Sequence, residues 1–111
     1  MTVGSSLVDV SVVMSTYNRA RVLPTALQSL RDQDFDHNRY EVVVIDNNST
    51  DETRKVVDLF GRQSHIFRYV FEPRQGVSYG RIAGLLAATA PIVAFTDDDL
   101  SVTPHLGRHD P

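Results

Sequence analysis

Hydrophobic positions along the chain switch repeatedly between two spacings. Leu7 to Met14 (LVDVSVVM) is rich in β-branched residues and partly alternating. Gly4-Ser5-Ser6 precedes it and the polar run Ser15-Thr16-Tyr17-Asn18 follows, as expected of a strand that feeds a loop. The spacing then lengthens: Leu23, Ala26, Leu27 and Leu30 fall at i, i+3, i+4 and i+7. Pro24 is tolerated only in a first turn, so a helix is predicted over 22–32. Tyr40 to Ile45 (YEVVVI) is nearly continuous and apolar, like a strand covered on both faces, and it ends on Asp46-Asn47-Asn48. Ser49 and Glu52 have the spacing of a capping box, with Val56, Val57 and Phe60 as the buried stripe of a helix that should stop near Gly61. A third strand over 66–71, a third helix over 78–90 with Ile82, Leu85 and Leu86 turned inward, and a fourth strand over 92–95 complete the pattern.

Strand and helix alternate throughout, which predicts βαβ units: an α/β fold, Rossmann-like, with a parallel sheet and helices on both faces. Ligands of such sheets collect beyond the strand C-termini. Here those ends carry Ser15 to Arg19, Asp46 to Asn48 and Thr96 to Asp99, so the polar chemistry gathers on one side of the fold. The predicted organisation is a leader over 1–6, one α/β domain over 7–101 and an irregular tail over 102–111, without internal repeats.

Composition narrows the function classes. A chain of 111 residues, 41% hydrophobic and 23% charged, has the balance of one globular domain. Its net charge of −3 and scattered basic residues argue against nucleic-acid binding, which needs clustered positive charge. With no cysteine there is no disulfide framework, thiolate zinc site or cysteine nucleophile. The leader puts no positive charge ahead of an apolar run, and the uncharged stretch over 82–96 contains Pro91 and falls short of the roughly 20 residues of a bilayer span. No transmembrane segment is expected. The expected location is cytoplasmic, peripheral to the membrane at most. The chain also lacks a P-loop, a dinucleotide-binding glycine fingerprint after the first strand, and a serine nucleophile elbow.

The strand-end residues then carry the argument. Asp97, Asp98 and Asp99 repel one another unless they are solvated, share a proton, or hold a cation. An oxygen-only set favours Mg²⁺ or Mn²⁺ completed by water and a substrate diphosphate, while a solvated acidic turn stays open on the residues alone. Asp46 and Asn47 together offer acceptors and donors for a nucleobase or ribose, or for a turn. Arg81, close behind Gly76-Val77-Ser78-Tyr79-Gly80 at a helix start, is placed to meet a phosphate. His105 and His109 have an i, i+4 spacing, but Pro104 and Gly107 oppose a helix there and no role is assigned to them.

Taken in order, VSVVMSTYNRARVLPTALQSL, YEVVVIDNNSTDET, QGVSYGRIAGLLAA and PIVAFTDDDL resemble the first half of family 2 glycosyltransferases of the GT-A fold, over Val10 to about Leu100. The resemblance implies a mostly parallel GT-A sheet with flanking helices, truncated after the acidic D-x-D motif. It implies a donor site for a nucleotide sugar (a UDP-, GDP- or dTDP-sugar) and transfer of the sugar to an acceptor hydroxyl with inversion. Thr16, Tyr17, Asn18 and Arg19 would line the nucleotide pocket. Asp46 and Asn47 would lie near the base, Arg81 near the diphosphate, and Asp97 and Asp98 within the donor site. Asp97 and Asp99 would bind Mg²⁺ or Mn²⁺, whose charge offsets that of the departing diphosphate. The chain departs from the family pattern at Asn47, often a second aspartate, and at Ile82, often an asparagine. Only Asp110 follows Asp99 among the carboxylates, so no catalytic base is assigned and the expectation is a donor-binding half. A non-catalytic nucleotide-binding or structural module is the alternative. A partner chain or self-association is expected to cover the exposed sheet edge.

Overall fold

The structure, a computed structural model, describes residues 8–98; the leader over 1–6, Asp99 and the tail over 102–111 lie outside the described residues. The elements run β1 (Val10–Thr16), α1 (Leu23–Arg31), β2 (Tyr40–Asp46), α2 (Thr53–Gln63), β3 (Phe67–Phe71), α3 (Val77–Ala87) and β4 (Ile92–Thr96). The strands form one parallel sheet in the order β3-β2-β1-β4. The chain therefore starts inside the sheet, works outward through β2 to β3, and returns to lay β4 on the other side of β1. The direction of winding reverses between β1 and β4, and that reversal positions the site.

Side-chain alternation divides the core into two layers. Val12, Met14, Val42 and Val44 pack on Leu23, Leu27 and Leu30 of α1 and on Val57 of α2. Val13, Val43 and Ile45 face the opposite way, toward Ala83 and Ala87 of α3. Both central strands are covered on two sides, which is why YEVVVI reads as a continuous apolar run. Each large side chain buried this way contributes about 1.5–3 kcal/mol.

Helix α3 reverses an expectation. Ile82, Leu85 and Leu86 point outward, at 48%, 53% and 81% exposure, and the buried positions are Gly80 and Gly84. The cause is closeness of approach. A Cβ on Gly84 would overlap Val13 Cγ1, and one on Gly80 would overlap Ser15 Oγ, so only a face of glycine and alanine fits against β1. The large residues are left on the far side.

Element boundaries also move, and α3 ends at Ala87 where the spacing predicts a helix to residue 90. The strand expected from Leu7 begins at Val10 and continues through Thr16. Helix α2 begins at Thr53 without a side-chain cap, and Gly61 lies inside it. Ser49 does not cap it, because Ser49 Oγ accepts the Asn18 N–H at 2.8 Å, while Asp51 Oδ1 accepts the Thr53 N–H at 3.0 Å and the Thr53 hydroxyl at 2.5 Å.

A buried polar knot fixes the connection from α3 to β4. Glu41 Oε2 accepts the Ser11 hydroxyl at 2.6 Å, the Thr89 N–H at 2.9 Å and the Thr89 hydroxyl at 3.0 Å. Glu41 Oε1 accepts from Arg68 Nη1 at 2.8 Å, and Ser11 Oγ in turn accepts the Ala90 N–H at 3.0 Å. Each buried donor here has an acceptor.

Candidate functional site

At the C-terminal ends of β1 and β4 the chain diverges, and a cleft of about 380 Å³ opens between them. Val13, Ser15, Thr16 and Tyr17 line it from β1 and its exit, and Phe95, Thr96 and Asp97 line it from β4. Asn47 contributes from the end of β2, and Val77 and Arg81 from the first turns of α3. Of the expected site residues, Thr16, Tyr17, Asn47, Arg81 and Asp97 are thus brought together. Asn18, Arg19, Asp46 and Asp98 are not among the lining residues, and Asp99 lies outside the described residues.

The residues behind the cleft brace it. Asp46 has the parity of Val42 and Val44, so its carboxylate turns toward the α1 and α2 side of the sheet. There Oδ1 accepts the Ser49 N–H at 2.9 Å and Oδ2 accepts the Tyr69 hydroxyl at 2.6 Å, with Asp46 only 2% exposed. Burial, reinforced by the hydrogen bond to Asp46, holds the Tyr69 hydroxyl well above the usual tyrosine range, so it stays a donor. Asn18 adopts a left-handed φ of 49°, which asparagine tolerates better than most residues. Its Oδ1 accepts the Thr50 N–H at 2.7 Å and the Asp51 N–H at 3.3 Å, tying the loop after β1 to the loop after β2.

The charges around the cleft are arranged in opposition. Arg19 Nε lies 3.8 Å from Asp98 Oδ2, a partly exposed pair, worth little energy, between the loop after β1 and the end of β4. Asp97 is left on the cleft wall. The same cleft is lined by Arg81, whose guanidinium sits 5.6 Å from the centre of the Phe95 ring, and by Val77 at the N-terminus of α3. A helix N-terminus and an arginine both favour an anion. Thr16 is 2% exposed, and its Oγ1 is a buried polar atom with no hydrogen-bond partner.

Among the described residues no group of three His, Cys, Asp or Glu side chains converges. Asp97 offers a carboxylate on the cleft wall, and hard oxygen donors of this kind fit Mg²⁺ or Mn²⁺, which bind through one or two carboxylates and keep waters or phosphates as further ligands. Val13, Val77 and Phe95 are apolar lining residues that no polar motif marks. Val13 and Phe95 are register partners across β1 and β4, a relation visible only once the strand order is known.

A parallel sheet with its cleft at the reversal of strand order is the arrangement of nucleotide-handling α/β proteins. The family model described as glycosyl transferase family 2 matches residues 11–108. Validoxylamine A glucosyltransferase of Streptomyces hygroscopicus subsp. jinggangensis is 41% identical over 96 residues, which is 85% of this chain and 22% of that protein. Staphylococcus aureus TarS 1–349 in complex with UDP superposes with a TM-score of 0.81 at 30% identity, over 86% of this chain and 29% of that one. A mannosyltransferase from Pyrobaculum calidifontis in complex with GDP-Man and Mn²⁺ gives a TM-score of 0.78, also at 30% identity, over 86% and 29%. The chain belongs to glycosyltransferase family 2, and its sheet is the GT-A arrangement that the motifs implied. It spans about a fifth to two fifths of the length of the curated relatives it matches. Among the described residues no helix is long and apolar enough to cross a membrane.

Proposed function

We propose that the cleft between β1 and β4 is a nucleotide-sugar donor site and that the chain is the donor-binding part of a sugar transferase. The observation that carries this is the meeting, in one cleft at the strand-order reversal, of Arg81 and the α3 N-terminus with Asp97. Arg81 and the helix N-terminus take the diphosphate, and Tyr17 and Phe95 supply aromatic walls. Asn18, Arg19, Asp46 and Asp98 act behind the cleft by holding its loops. The structures with UDP and with GDP-Man and Mn²⁺ support the ligand class, and leave UDP-, GDP- and dTDP-sugars as the donors to compare.

Asp97, with Asp99, would hold Mg²⁺ or Mn²⁺, and the ion when bound supplies positive charge to the departing diphosphate. Among the described residues Asp97 is the single carboxylate lining the cleft, so the acceptor's proton has no base there. Calorimetry on the 111-residue chain with each donor and Mn²⁺ tests the reading. Binding that requires the metal and falls at least tenfold in Arg81→Ala is expected. Metal-independent binding, or an Arg81→Ala protein that binds like wild type, would refute it.

A further inference from the structure

Asn47 occupies the position where the family often carries an aspartate, yet its surroundings suit an amide. Nδ2 donates to the Glu72 carbonyl at 3.2 Å and to the Arg74 carbonyl at 2.7 Å, and Oδ1 accepts the Gly76 N–H at 3.0 Å. Both amide hydrogens are spent, and one lone pair on Oδ1 remains. The side chain is 6% exposed, and its own N–H donates to the Thr16 carbonyl at 2.8 Å. A carboxylate at this position would set oxygen against two carbonyl oxygens, with a donor for neither.

The turn that Asn47 grips leads straight into the cleft. Glu72 N–H donates to the Asp46 carbonyl at 2.8 Å, and the Glu72 carboxylate accepts the Arg74 N–H at 2.8 Å and Arg74 Nε at 3.0 Å. Gly76, at φ 137°, holds a conformation that residues with a Cβ rarely adopt, and α3 starts at the next residue. Val77 and Arg81, both on the cleft wall, follow within that first stretch of helix.

We propose that Asn47 is a positioning residue. Its carboxamide fixes the turn Glu72–Gly76 and through it sets the start of α3, so that Arg81 faces the ends of β1 and β4. The consequence for ligand binding rests on the donor-site reading above; the clamp itself does not. Glu72 and Arg74 in the turn, Asp46 beside it, and Arg81 and Asp97 on the cleft are the charged groups around this position.

The test compares wild type, N47A, N47D and R81A, each confirmed as folded by circular dichroism, using UDP with Mn²⁺ as the probe and amide exchange at Gly76 as the second readout. Losing the Oδ1 acceptor removes about one hydrogen bond's worth of protection, so N47A is expected to exchange Gly76 roughly tenfold faster, while N47D keeps that acceptor and loses both donors to the turn; both are expected to bind UDP roughly tenfold more weakly. R81A should weaken UDP while leaving Gly76 exchange as in wild type. Lowering the pH should restore part of the N47D affinity, because a protonated carboxyl regains one donor, and should not do so for N47A. Gly76→Ala, which keeps Asn47 but bars the φ of 137°, should reproduce both effects of N47A. Weakened UDP binding in N47A with unchanged Gly76 exchange would overturn the proposal and make Asn47 a ligand contact. So would an N47D protein equal to wild type at neutral pH. If wild type binds no UDP, the donor-site reading fails while Gly76 exchange still decides the clamp.

Discussion

Glu41→Ala removes the acceptor at the centre of the polar knot beneath α3, and its cost can be worked bond by bond. Ser11 is 0% exposed, so its hydroxyl finds no water and its loss of an acceptor costs about 1–3 kcal/mol. Thr89 is exposed, and water recovers most of what its two donors lose. Arg68 keeps the Ala87 carbonyl at 2.8 Å and is partly exposed, so breaking its pair with Glu41 adds about 0–1 kcal/mol. The expected total is about 1–4 kcal/mol, a large share of the roughly 5–15 kcal/mol that stabilises a domain. Glu41→Gln keeps an acceptor for Ser11 and Thr89 but turns an amide NH2 toward Arg68 and loses that hydrogen bond, so about 1 kcal/mol is expected.

The pH dependence has a definite sign. Burial works to raise the Glu41 carboxyl, but hydrogen bonds from Ser11, Thr89 and Arg68 outweigh it and hold the group below its ordinary value of 4.5. A carboxyl lowered by folding stabilises the protein fully above its unfolded value, and that stability is lost as pH falls through the folded one. The gap between wild type and Glu41→Gln should therefore be flat from pH 8 to about pH 5 and narrow below 4.5. Urea unfolding followed by circular dichroism, with the slope checked for constancy, measures all three proteins. A Glu41→Ala protein within about 0.5 kcal/mol of wild type, or a gap that widens in acid, would refute the reasoning.

Two further substitutions probe helix α3. Gly84→Ala improves helix propensity by about 1 kcal/mol but drives a methyl into Val13, at about 1–3 kcal/mol, so net destabilisation of about 1 kcal/mol is expected. Adding Val13→Ala should make the pair less damaging than the two single changes combined, as a double-mutant cycle in urea will show. Leu86→Glu, on the outward face at 81% exposure, should change stability by less than about 0.5 kcal/mol in the same urea assay.

The sequence by itself determined the alternation of strands and helices, because hydrophobic spacing follows the backbone period and the strands are rich in β-branched residues. Parallel pairing came with it, since each strand is followed by a helix that must cross back over the sheet. It also determined where polar chemistry gathers, and the family motifs carried that through to the resemblance. It could not choose the buried face of α3, whose residues are apolar nearly all round. The close approach of Gly80 and Gly84 to β1 made that choice, and side-chain size enters only through the strand opposite. Nor could it separate the polar residues that line the cleft from those that brace it. Asp46 and Asn47 are neighbours in the chain, but Asp46 turns under α2 to meet Tyr69, while Asn47, one residue on, reaches the cleft and the turn into α3. That division depends on strand parity and on the return of β4 beside β1, relations between distant segments that exist only once the sheet has formed.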